Sequence, residues 1–322
     1  MNKNLLNISL PNIPEILYVL IFLLIILGIF IPEFRTIGNI LNIAQQGAVL
    51  AIIALGSCII TIIGGIDLSL GAVLSLAGVF TALLLKENFN LIISLMGGIG
   101  CGLICGLITG IIIAYGNVPS FVATLGMMSM ARGISLGLFD GATISGLPKY
   151  FRNFANGYIG VIPIPIVIVL ICYVILEYLM KREKFGIYIY ALGGNQNAAR
   201  CCGINSKILT MIVYTIGGLL AGIAGIIMVS RLNCGHPTVG IGYEFEAIVA
   251  VVVGGTPLEG GWGSLGRTLI GVIIIGVLKN GLMLLGYPSY WQMAIIGVGV
   301  VLALIMANMA FIKSKEYINL QT

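Results

Sequence analysis

Apolar runs of about 20 residues recur from one end of this chain to the other, and no other feature constrains its fold as much. A helix of that length matches the hydrocarbon thickness of a bilayer, where every backbone polar group must be satisfied internally. A membrane barrel would alternate polar and apolar residues, and these runs do not alternate. Of the 322 residues, 59% are hydrophobic and only 8% are charged. Soluble domains carry roughly 25% charged residues, so no ordinary water-facing surface can be assembled. The chain reads as all-α, a polytopic helical bundle forming one membrane domain over 1–322.

About ten spans fall at 14–31, 43–63, 67–85, 91–115, 119–139, 162–180, 208–230, 244–254, 268–286 and 288–308. The eighth is too short to cross alone and reads as re-entrant or as misplaced in its boundaries. The third follows "GGID" with almost no loop. The first run is followed by "GIFIPEFRTIGN", which offers no small-residue cleavage site, so it reads as a span rather than a signal peptide.

An even span count puts both termini on one side. Lys3, Lys181, Arg182, Lys184, Arg200, Lys207, Arg267, Lys313 and Lys315 then share that side, nine in all. Arg35, Lys86, Lys149, Arg152 and Arg231, five in all, fall opposite. The positive-inside bias assigns the termini, the polar loop at 181–207 and a short tail at 309–322 to the cytoplasm of a plasma or inner membrane. The net charge of +5 reflects that bias and gives no reason to invoke nucleic acid.

Seven cysteines do not make a disulfide framework, because four lie within spans and Cys201 and Cys202 sit on the reducing side. With a single histidine, His236, and no CxxC pair, the sequence offers no metal site. In the fourth span Gly98, Gly102, Gly106 and Gly110 line one face, and Gly217, Ala221 and Gly225 repeat the pattern in the seventh. Such faces let helices approach closely in lipid, inside one subunit or across a dimer seam.

"GGWGSLGRT" (Gly260 to Thr268) imitates a phosphate-binding loop, but that chemistry needs a preceding strand, and here a membrane span follows. ATP hydrolysis therefore has no home in this chain. "GGIDLSLG" (Gly64 to Gly71) pairs glycines that end one helix with Asp67, which suits the N-cap of the next. A helix interrupted at membrane depth also exposes polar backbone to a solute path. Arg132 and Lys279 are charges within spans, costly unless paired or hydrated. Uncharged polar residues (Gln45, Gln46, Ser57, Thr61, Thr124, Asn280 and Gln292) suit a hydroxyl-rich neutral solute, though bonding between helices accounts for them equally well. The path candidates are Gln45, Gln46, Asp67, Ser69, Arg132, Asn280 and Gln292. No histidine lies in a span and few acids do, which argues against a proton-driven carrier. A membrane enzyme would need a nucleophile with its base, and none stands out.

"ALGGNQNAARCCGIN" (Ala191 to Asn205) is polar and helix-sized, with Asn195 as N-cap and Gly203 at the C′ position. An isolated helix so short is unstable in water and must rest on something. The two turns between these caps, "QNAARCC", present an Ala-rich face that lacks the Trp, Phe or Leu that anchor interfacial helices. Small residues between two caps suit insertion into a protein groove.

That stretch, with "GGIDLSLGA" (Gly64 to Ala72), "GYEFEAIVAVVVGGTPLEGG" (Gly242 to Gly261) and "SYWQM" (Ser289 to Met293), resembles the permease subunits of simple-sugar ATP-binding-cassette importers, the ribose type above all. The resemblance runs from about residue 36 to 308. It implies a membrane subunit that works as two copies on a cytoplasmic ATPase, fed by an extracytoplasmic sugar-binding protein, with ATP and Mg on the ATPase and no cofactor in this chain. It also implies that Gly193, Gly194, Asn195, Ala198, Ala199, Arg200, Gly203, Ile204 and Asn205 form the element that couples to the ATPase. The expected activity is alternating-access import of a monosaccharide, ribose or a related sugar. An ion-coupled sugar carrier is the alternative.

Overall fold

The computed structural model describes residues 15–288, 290–295 and 297–298, and these are mainly helical. In chain order the helices are α1 (Glu15–Phe30), α2 (Ile37–Ile62), α3 (Leu70–Lys86), α4 (Leu91–Gly116), α5 (Ser120–Gly137), α6 (Lys149–Asn156), α7 (Ile164–Arg182), α8 (Lys184–Gly194), α9 (Gln196–Cys201), α10 (Ser206–Leu232), α11 (Tyr243–Val253) and α12 (Leu265–Leu284). A two-residue hairpin, β1 (Tyr158–Ile159) and β2 (Ile162–Pro163), precedes α7. Helices α2, α4, α7, α10 and α12 are long and apolar enough to cross a membrane. Each of the first nine expected spans has a helix. Most of the tenth, with Lys3, Lys313, Lys315 and the 309–322 tail, lies outside the described residues.

The glycine face of α4 is used within the chain. A Cβ built on Gly102 would stand 2.8 Å from Gly222 Cα of α10, and one on Gly106 would stand 3.0 Å from Gly218 Cα. The two backbones therefore touch, where larger residues would hold them apart. Gly217 and Gly225, on another side of α10, meet Ile60 of α2 and Leu74 of α3. Helix α10 is the axis of the bundle, and α2, most of whose residues are buried, lies beside it.

The sequence repeats itself upside down around that axis. Thr36 caps α2 by accepting from Asn39 N, and Asn205 caps α10 by accepting from Ile208 N, 169 positions on (205 minus 36). At the same spacing Gly64 and Asn233 follow the helix ends with φ of 78° and 56°, and Asn117 and Gly286 end α4 and α12 with φ of 52° and 78°. "VPSF" at 118–121 returns as "YPSY" at 287–290. Packing obeys the same symmetry: α10 lies on α3 and α4 as α2 lies on α11 and α12. Helix α2 ends beside α8, whereas α10 begins just after α9, so the two units run in opposite directions. Such inverted repeats place broken helices where the two halves meet.

Both breaks are present. Between α2 and α3 the chain is non-helical from Ile63 to Ser69, so the third span starts at Leu70 and not at 67. Between α10 and α11 the non-helical segment 233–242 enters the bundle, where Gly240 N donates to Ser75 Oγ of α3 at 2.9 Å. Helix α11 has only 11 residues, about 16 Å at the α-helical rise, too short to span.

Candidate functional site

Two polar regions stand out, one at the end of the bundle and one inside it. At the end, α9 is held by local hydrogen bonds alone. Asn195 Oδ1 accepts from Ala198 N at 3.0 Å. After Cys201 the chain closes a Schellman turn: Ile204 N bonds Ala199 O at 3.1 Å, Gly203 N bonds Arg200 O at 3.0 Å, and Gly203 takes φ of 81°. Asn205 then caps α10, and Arg200 Nε donates to Ser206 Oγ at 2.9 Å, tying the short helix to the axial one.

The candidate coupling residues divide by environment. Gly194, Asn195, Ala198, Arg200, Gly203 and Asn205 are exposed, as are Cys201 and Cys202, whereas Ala199 is buried and Ile204 half-buried. Gly193 faces inward. Any Cβ there would overlap Ile62 O, the carbonyl that accepts from Gly261 N at 2.9 Å. Tyr190 of α8 donates to Gly263 O at 2.9 Å. The α8–α9 unit, the end of α2 and the glycine loop 254–264 are thus knitted together. The glycine loop has no strand before it, only α11, and serves as packing.

Inside the bundle, Asp67 does not cap α3 as expected. Ser69 holds the N-cap position, and buried Asp67 folds the turn before it, accepting from Ser69 N at 2.7 Å and Ser69 Oγ at 2.6 Å. This is an Asx turn, which a side chain two residues ahead makes more readily than a cap. Just beyond, Gly71 of α3 packs against Gly240 and against Glu244 in the first turn of α11. Glu244 Oε1 lies 3.8 Å from Arg132 of α5, with side chains 2% and 30% exposed respectively. Neither Arg132 Nη2 nor Glu244 Oε2 has a hydrogen-bond partner. A buried carboxylate at the starts of two helices gains from their dipoles and from the guanidinium, and the incomplete bonding leaves donors and acceptors for something else. Arg132 shares α5 with Gly126, Ser129 and Gly133, all exposed on its open side.

The other path candidates are not gathered there. Asn280 and Asn39 exchange reciprocal amide bonds of 2.8 and 2.9 Å, joining α12 to α2. Gln46 bonds Asn42 one turn earlier, Gln45 bonds the Tyr158 hydroxyl, and Gln292 bonds Tyr287 O. Lys279 pairs with Glu246 at 2.8 and 3.0 Å. Sequence reasoning finds the two cations but neither acid. The readable signal is two glutamates opening an apolar run too short to span, which places them at depth.

Comparison with known proteins follows the same outline. Residues 39–304 match the family model described as "Branched-chain amino acid transport system / permease component". The chain is 41% identical over 298 residues to the ribose import permease protein RbsC of Escherichia coli K12, covering 91% of this chain and 92% of that one. It is 36% identical over 288 residues to the D-allose transport system permease protein AlsC of the same strain, covering 89% and 88%. Against the probable ABC transporter permease protein YphD, also from that strain, it is 35% identical over 293 residues, covering 91% and 88%. No solved structure matches.

Proposed function

This chain belongs to the family of transport-system permease components, and from that premise we propose that it is the membrane subunit of an ATP-binding-cassette importer for a monosaccharide, ribose or a related simple sugar. The observation that carries the reading is the identity of 41% to a ribose import permease along nine tenths of the chain. An ion-coupled carrier is not favoured, since the relatives are permease subunits.

In this reading the chain sits in the cytoplasmic membrane with both termini inside, as the excess of basic residues on that side suggests. Two copies rest on a cytoplasmic ATPase, which binds ATP and Mg, and a binding protein delivers sugar from outside. The exposed face of α9, from Gly194 to Asn205, seats in the ATPase. Closure of the ATPase displaces α9, and the contacts of Gly193 and Tyr190 pass that motion to the ends of α2 and the 254–264 loop. The breaks before α3 and α11 then shift against each other, and with them the Arg132–Glu244 pair. Gln45, Gln46, Asn280 and Gln292, already bonded within the bundle, act as helix ties. Arg132 is the path candidate that keeps an unpartnered donor on a part-exposed side chain.

The test is uptake of labelled ribose into proteoliposomes holding this chain with a ribose-importer ATPase and a ribose-binding protein. Uptake that requires enclosed ATP on the ATPase side supports the reading. Uptake by the chain alone, driven by an ion gradient, overturns it.

A further inference from the structure

A groove of about 980 Å³ opens on the flank of the bundle between α1, α2, α7 and α12, apart from both polar regions. Small residues make up part of its lining. Ala44, Ala48 and Ala51 recur on α2 at helical spacing beside Gly47, and Gly276 of α12 faces them. Elsewhere in the molecule such a face is covered by a helix, as α4 is by α10. Here, among the described residues, the walls stand apart: Leu24, Ile25 and Ile29 of α1 on one side, Ile166 and Val169 of α7 on the other.

Two features say what fits. From Ile40 to Ala51 the wall on α2 advances 11 residues (51 minus 40), about 16 Å at the helical rise, which is one leaflet of a hydrocarbon core about 30 Å thick. At the end of the groove remote from α9 lies Arg35, in the 3-10 turn between α1 and α2, the only charged residue among those that line it. Its stem lies over Gly28, and it makes no ion pair among the described residues. An acyl chain with a phosphate at its end is the bilayer component that is apolar over that depth and negative at that level.

We propose that this groove is a binding site for one phospholipid of net negative headgroup charge in the leaflet remote from α9. Its acyl chain lies along Ala44, Gly47, Ala48 and Ala51, and its phosphate rests on Arg35. Occupancy ties α1 and α7 to the core pair α2 and α12, whatever solute the chain moves.

Native mass spectrometry of the purified full-length chain, titrated with dioleoyl phosphatidylglycerol or dioleoyl phosphatidylcholine, tests this. The wild type should retain one phosphatidylglycerol in preference to phosphatidylcholine. Arg35→Gln, at an exposed turn, should lower that preference about five-fold, the worth of one basic residue near a membrane surface. Ala48→Phe should abolish retention of both lipids. Gly47→Leu, whose side chain enters open space, should do the same if Ala48→Phe fails to fold. Equal retention of the two lipids by the wild type overturns the proposal, as does unchanged retention in a well-folded groove-filled variant. Displacement of the lipid by inorganic phosphate alone, or disulfide capture of a second copy by Gly47→Cys, also overturns it.

Discussion

The α9 end and the meeting point of α3 and α11 solve opposite problems. At α9 the polar groups are satisfied by neighbours a few residues away, and the unit presents a finished outer surface. Between α3 and α11, groups brought from three distant helices meet with bonds left over: Arg132 Nη2 and Glu244 Oε2 are buried without partners. Local completeness makes a part whose shape is set by its own sequence, as the proposed coupling role requires. Incomplete bonding makes a place where a small shift changes partners at little cost.

The comparison is broken hardest at the inner site. Glu244→Ala should destabilise the chain by about 2 kcal/mol, because the part-buried Arg132 guanidinium loses its only carboxylate among the described residues. A lower melting temperature in detergent is the readout. The double variant Glu244→Met with Arg132→Met should regain most of that loss but not sugar uptake, and restored uptake would show the pair to be scaffolding only.

At the other end, Gly193→Val should cost about 2 kcal/mol by overpacking against the end of α2, seen as a fall in melting temperature with weakened ATPase co-purification. Gly203→Val forces a β-branched residue to φ of 81°, a strain of about 1–3 kcal/mol. It should abolish ATPase co-purification while the chain still inserts into membranes, and full-yield co-purification would remove α9 from the coupling role. Asn195→Ala should cost about 1 kcal/mol through the lost cap, loosening ATPase binding severalfold by titration without altering the melting of the bundle. If the inner variants released the ATPase and the outer ones did not, the contrast would be reversed.

Much of the α9 end is legible in the sequence because its determinants are local. Asn195, Gly203 and Asn205 are recognisable by type and spacing, and the structure finds a capped helix between them. What spacing does not tell is that Gly193 faces the end of α2 while Gly194 faces solvent. The inner site is half legible. Arg132 and Lys279 announce themselves as charges in apolar runs, but Glu244 and Glu246 stand 112 (244 minus 132) and 33 (279 minus 246) residues from them and become partners only through packing. Asp67 illustrates the same limit at short range, since its partner is chosen between two neighbouring turns by the backbone.

By itself the sequence determines the class of molecule: its apolar runs are long enough for lipid and its charges too few for water. Of the inverted repeat it carries a trace, "VPSF" against "YPSY" 169 residues on, while the inversion belongs to the structure. Only the tertiary structure decides that one glycine face is an internal seam, that two helices start inside the bundle, and which acid meets which base. Burial, caps and turns follow from residues near in the chain. Ion pairs and grooves depend on where distant helices come to lie, and in lipid that is set by close packing of backbones, which no single segment specifies.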